Sequence, residues 1–180
     1  MAKIREHEKV KLIVAMISSG EEFFGRVEDA LKERFGEIDF ASQIIPFNFT
    51  NYYQDEMGSG LSRKFICFRN LIYPDRIVDI KIYTNDLERK FSNINRGRNI
   101  NIDPGYISAA KLVLASAKNF SHRIYLRQGV YAEITLRYVK GNFKPWEWTF
   151  PDYRTDGYIE IFNEIRKIYM KQIKLKREVV

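Results

Sequence analysis

From Val130 to Tyr138 the chain sets an apolar residue at every second position: Val130, Ala132, Ile134, Leu136 and Tyr138, with Tyr131, Glu133, Thr135 and Arg137 between them. A period of two is the mark of a strand with one buried face, and it limits the folds open to this chain more than any other pattern in it. His122 to Leu126 reads as a second short strand, and Arg127-Gln128-Gly129 as a three-residue loop with glycine at the left-handed position. That register pairs Leu126 with Val130, Ile124 with Ala132 and His122 with Ile134. On the opposite face it pairs Tyr125 with Tyr131 and Arg123 with Glu133. A slip of one residue would set Ile124 against Glu133 and mix the faces, which burial of one face opposes. Arg123 and Glu133 thus form a cross-strand ion pair flanked by two tyrosines, read either as a surface pair or as the polar floor of a ligand site. His122 falls on the apolar side.

Ahead of this hairpin the chain alternates strand and helix signals. Val10 to Ile17 is a nearly continuous apolar run, expected to be a buried strand. Ser19 and Glu22 have capping-box spacing, and Phe23, Val27, Ala30, Leu31 and Phe35 follow at helical spacing up to Gly36. Glu37 to Phe49 reads as one long strand bent at Pro46, and Arg63 to Leu71 as another buried strand. Tyr73-Pro74-Asp75 opens a helix whose apolar stripe is Ile77, Ile80, Thr84, Leu87 and Phe91. Lys81, Asn85 and Glu88 flank one edge of that stripe, so they face along the sheet. A strand from Arg96 should carry Asn99, Asn101 and Asp103 on one face. Asp103-Pro104 would then cap a new element. Periodicity does not separate helix from strand over residues 107–118; the Asp-Pro pair favours helix. The aromatic segment from Lys140 to Arg154 reads as irregular, and Tyr158, Ile161, Phe162, Ile165, Ile168 and Tyr169 mark a long C-terminal helix.

This order, β-α-β-β-α-β followed by a hairpin and a helix, predicts a single α+β domain over residues 1–180. It would have a ferredoxin-like core, with an open mixed α/β sheet as the alternative. A chain of 180 residues with 45% hydrophobic content can bury one good core. The single cysteine, Cys67, rules out an internal disulfide and a cysteine-rich metal site. The apolar run near the N-terminus is too short to span a membrane and lacks a signal-cleavage pattern, so a cytoplasmic protein with no membrane partner is expected. The net charge of +7 is uneven: acidic side chains outnumber basic ones up to Ser62, and basic outnumber acidic from Arg63 onward. A basic surface of this kind suits an anionic partner.

The strings NFTNYYQDEMG, KIYTNDLE, NINIDPGYISAAKLVLASAK, HRIYLRQGVYAEITLRY and WTFPDYR occur here in order. On them the chain resembles a bacterial family catalogued as a domain of unknown function, DUF4416. The resemblance implies a standalone cytoplasmic domain of about this length, and it carries over no catalytic residues.

Candidate site residues therefore come from the chain itself. Glu56, Asp103, Glu133 and Asp152 are the candidate catalytic carboxylates. Asn48 and Phe49, with Tyr52 and Tyr53, come from a polar, aromatic loop of the kind that carries binding. Lys81, Asn85, Glu88 and Asn101, then Lys118, Arg123, Tyr125, Tyr131 and Arg154, complete a ligand-binding set. Carboxylates of this kind hold Mg²⁺ through oxygen while Lys and Arg take phosphate oxygens, so a phosphorylated or nucleotide-like small ligand is the first functional expectation. Enzymatic action on it is left open, and no metal residue is assigned. No G-x-x-x-x-G-K-[ST] or G-x-G-x-x-G occurs, and no G-x-S-x-G supports a serine nucleophile. An RNA-binding module, from the basic and aromatic content, and a structural or assembly protein are the alternatives.

Overall fold

The computed structural model describes residues 3–50, 52–92 and 97–178, without the side chains of residues 176 and 177. β1 (Val10–Ser18) lies at the centre and is buried along its whole length, as its apolar run demands. It is flanked on one side by β4 (Ser62–Ile72) and on the other by β5 (Ile100–Ile107), antiparallel to both. Beyond β4 lies β2 (Ile38–Ala41), with β3 (Ile45–Pro46) pairing on the same edge. Beyond β5 come β6 (Lys111–Ser116), β8 (Val130–Val139) and the edge strand β7 (Ile124–Arg127), while β9 (Asn142–Pro145) pairs with β8. The result is one open, antiparallel, nine-stranded sheet of mixed α+β architecture.

Alternate residues of β1 serve the two faces. Leu12, Val14 and Met16 face α1 (Glu21–Phe35) and α3 (Ile77–Lys90), where Phe24, Val27, Leu31, Ile80 and Leu87 complete a core. Ile13 and Ala15 face α4 (Asp156–Glu178), which buries Tyr158, Phe162 and Ile165 against Phe65, Cys67 and Phe143. A short helix, α2 (Gln54–Met57), caps a small third cluster of Ile17, Phe47, Met57 and Leu61.

Several sequence expectations are corrected by this packing. The capping box is not formed: Gly20 is the N-cap of α1, without a side-chain cap, because β1 runs on to Ser18, whose Oγ accepts from Gly20 N at 3.1 Å. The strand expected over 37–49 is two short ones, broken where Ser42 turns its hydroxyl to Phe65 N at 2.9 Å. β5 runs straight through Asp103-Pro104 instead of turning, because β1 pairs with it from Ile100 to Ile107. Pro104 is tolerated there since β6 joins only from Gly105. The Arg96 end of that predicted strand lies outside the described residues. Residues 111–116 are strand rather than helix: Leu112 to Ala115 are buried between two neighbours in the sheet, a setting that favours a continuous apolar run in extended form.

The hairpin keeps Ile124 opposite Ala132 and Tyr125 opposite Tyr131, but Arg127 opposes Val130. Its turn is the two residues Gln128 and Gly129, both at positive φ (54° and 76°), the arrangement that follows the twist of the strands. The expected burial of alternate residues also fails here. β7 is exposed throughout, and a register shift against β6 leaves Glu133 and Thr135 buried while Ile134 is exposed. His122 sits below Trp148, ring centroids 5.4 Å apart and nearly parallel.

Candidate functional site

β5 and β6 pair only at Gly105–Ile107 with Leu112–Leu114. Towards Ile100 on one strand and Lys118 beyond the other they part, and the gap is a cavity of about 750 Å³. Gly105 sits at the fork, where a Cβ would lie 2.3 Å from Val113 O. The strands can meet this closely, and so diverge from this point, because the residue there has no side chain.

One wall is built by α3 and β5. Lys81 Nζ, brought inward by the helix, donates to Ile102 O and Asp103 Oδ1, both at 3.1 Å. Glu88 Oε1 accepts from Ile102 N at 2.6 Å, and Asn101 Nδ2 donates to Asp103 Oδ2 at 2.6 Å. Arg98 closes this wall: Nε and Nη2 reach the two oxygens of Glu56 at 2.8 and 2.7 Å, and Nη1 donates to Asn101 Oδ1 at 2.8 Å and Glu88 Oε2 at 3.3 Å. Such a bidentate pair fixes the plane of the guanidinium.

The opposite wall comes from β6, β8 and the segment before β7. Arg123 Nε donates to Glu133 Oε2 at 2.8 Å, and its Nη1 to Ser116 Oγ at 3.1 Å and Lys118 O at 3.0 Å. Lys118 Nζ reaches the Tyr52 hydroxyl at 2.5 Å, across the cavity mouth. At the inner end Arg63 of β4 donates through Nη2 to Asp152 Oδ2 at 2.7 Å and lies against the rings of Phe47 and Tyr153. Its Nε and Nη1 are buried and have no well-formed hydrogen bond among the described residues. Phe49, Tyr52, Tyr53 and Phe150 complete an aromatic rim.

These surroundings separate the carboxylates. Burial pushes Asp103 up, but Lys81 and Arg63 outweigh it and hold the group below the ordinary aspartate range. Burial dominates at Glu88, which is raised despite Lys81, and at Asp152, raised despite Arg63. The hydrogen bond from Arg98 lowers Glu56. Burial raises the Tyr53 phenol well above the ordinary tyrosine range.

Of the candidates from sequence, Phe49, Tyr52, Tyr53, Lys81, Asn85 and Glu88 line this one cavity, and so do Asn101, Asp103, Lys118, Arg123, Glu133 and Asp152. The other candidates lie elsewhere. Glu56 stands behind Arg98 as its anchor. Tyr125 and Tyr131 pack edge-to-face on each other at 5.3 Å, at the sheet margin. Arg154 is held by Thr149 O and Glu147 O, at 2.7 Å each, so the chain turns it to its own loop. Asn48 is exposed and apart from the lining. The Arg123–Glu133 pair is buried, not superficial, with side-chain exposures of 10% and 1%. Arg63 and Arg98 were missed. Arg63 had one signal, a charge beside Lys64 at the head of an apolar strand, RKFICF; Arg98 had none beyond its polar segment.

Among the described residues no three His, Cys, Asp or Glu side chains come together to hold a metal ion; each acid of the cavity is turned to a cation. No helix among them is long and apolar enough to cross a membrane. No curated protein and no solved structure matches the chain. A family model does match, over residues 8–169, and by it the chain belongs to the family described as Domain of unknown function (DUF4416).

Proposed function

We propose that this protein binds a small anionic ligand, phosphorylated or nucleotide-like, in the cavity between β5 and β6. The observation that carries this reading is convergence. Arg63, Lys81, Arg98, Lys118 and Arg123 come from separate segments of the chain and line a single cavity with a mostly apolar rim. About 750 Å³ lies within the range of small-molecule sites. Four of these cations are paired with acids at the cavity, while Lys118, whose Nζ has only the Tyr52 hydroxyl as a partner among the described residues, is left for an incoming anion. The cations sit in a crevice rather than along an open stripe, which favours a small molecule over a nucleic-acid backbone. The basic charge of the whole chain leaves RNA as the second reading.

A ferredoxin-like reading of β1, α1, β2, β4, α3 and β5 rests on the strand order β2-β4-β1-β5 with α1 and α3 on one face. A cytoplasmic setting suits a protein whose one cysteine is free and buried. Thermal-shift and calorimetric titration with nucleotides, aldose phosphates and inorganic phosphate, each with and without Mg²⁺, tests the proposal. Saturable stabilisation that weakens with added salt is expected. No response to any anion at millimolar concentration, alongside a salt-sensitive gel shift with bulk RNA, would reverse the order of the two readings.

A further inference from the structure

The two walls of the cavity differ in what they leave available for a ligand. On the α3/β5 wall the cations have turned most of their hydrogens to the wall itself. Lys81 donates to Ile102 O and Asp103, and Arg98 to Glu56, Glu88 and Asn101. That wall therefore offers mainly acceptors, the remaining lone pairs of the Asp103 and Glu88 oxygens, each of which already accepts one hydrogen bond. It also offers the Asn85 amide, which lines the cavity and has no hydrogen bond among the described residues. On the β6/β8 wall donors remain. No hydrogen bond among the described residues engages Arg123 Nη2, and Lys118 Nζ has one partner, the Tyr52 hydroxyl. Ser116 Oγ accepts from Arg123 Nη1 and Lys118 N, both at 3.1 Å, so its own O–H is left to donate. The neighbouring strands stand apart here, so a ligand bridging the gap meets donors on one side and acceptors on the other.

We infer that the ligand is a phosphomonoester of a polyhydroxylated skeleton, a sugar phosphate in the broad sense, bound in one orientation. Its phosphate lies on Lys118, Arg123 and Ser116, and its hydroxyls on Asp103, Glu88 and Asn85. This rests on the anion-binding reading and adds to it a ligand class and a direction. A carboxylate accepts from a hydroxyl but repels a phosphate, and a cation with unassigned N–H groups does the reverse. A polyphosphate would set its second charge against Asp103 and Glu88.

Calorimetry with ribose phosphate, ribose and inorganic phosphate on the full chain tests this, with two variants that each remove at most one internal hydrogen bond. Ribose phosphate should bind about tenfold more tightly than inorganic phosphate, and ribose should bind most weakly. Lys118→Ala should weaken ribose phosphate and inorganic phosphate by a similar factor. Asn85→Ala should weaken ribose phosphate by about threefold to tenfold and leave inorganic phosphate unchanged. Circular dichroism and thermal melting establish that both variants fold. Two results would overturn the inference while leaving anion binding intact: inorganic phosphate binding as tightly as ribose phosphate, or Asn85→Ala weakening inorganic phosphate as much as Lys118→Ala does. Failure of every phosphate-bearing probe removes the anion-binding reading itself.

Discussion

Glu133 has almost no exposed surface, yet it accepts from Arg123 Nε at 2.8 Å and Thr135 Oγ1 at 3.1 Å and lies 3.2 Å from His122 Nε2. Removing one member of a buried ion pair leaves the other charge without compensation. Glu133→Ala should therefore cost about 3–5 kcal/mol, read from the urea midpoint at constant m-value; a loss below about 1 kcal/mol would mean that Arg123 finds water instead. Glu88 makes a prediction of sign. Its folded-state pKa is raised above 4.5 by burial, so the fold holds this proton more tightly than the unfolded chain does. That contribution is complete below 4.5 and is lost as pH rises through the folded value. Glutamine has no such loss, so the stability of Glu88→Gln relative to the parent should improve as pH rises from about 4 to 7. Asp103 is lowered instead, so its contribution is present above 3.8 and fades as pH falls. With the series extended below pH 3.8, Asp103→Asn should therefore lose its disadvantage relative to the parent as pH falls.

At the scale of elements, the fork between β5 and β6 sets the site. Gly105→Ala would press a methyl group against backbone, Val113 O, which cannot swing aside as a side chain would. A loss of about 1–3 kcal/mol is expected in chemical denaturation, with weaker ligand binding, because both walls start from this point. An unchanged midpoint would show that the strands part without effort. The same element explains what its own sequence concealed. Asp103-Pro104-Gly105 has the composition of a turn and cap, yet it is mid-strand, since β1 supplies a partner along its full length. Local propensity is a weak preference, and an available ladder on a central strand outweighs it. The hairpin, by contrast, has local causes: two of its expected cross-strand pairs are present, although its loop is one residue shorter than read and Arg127 rather than Leu126 opposes Val130.

On the scale of the whole molecule, one sheet carries a core on each face. Lys11 crosses between parts of it: buried in β1, its Nζ donates to Asp39 Oδ2, Phe68 O and Gln172 Oε1, so β2, β4 and α4 share one cation. Cores that share β1 should melt together. Far-UV circular dichroism and the fluorescence of Trp146 and Trp148, which stack at 5.1 Å near β8, are expected to report a single coincident transition. An earlier change in fluorescence would show the β6–β9 end opening separately. Sequence by itself determined the α+β class, the period-two strands, the helical stripes and the family strings, because each follows from contacts between residues close along the chain. It also supplied most of the polar residues of the cavity, since polar and aromatic groups out of place in a core are visible as letters. Only the tertiary structure decided that residues 111–116 are strand, that Arg63 and Arg98 join the site, and that Arg154, Tyr125 and Tyr131 do not. Those outcomes depend on which strand lies beside which and where two of them part, distances set by pairings between segments far apart in the chain.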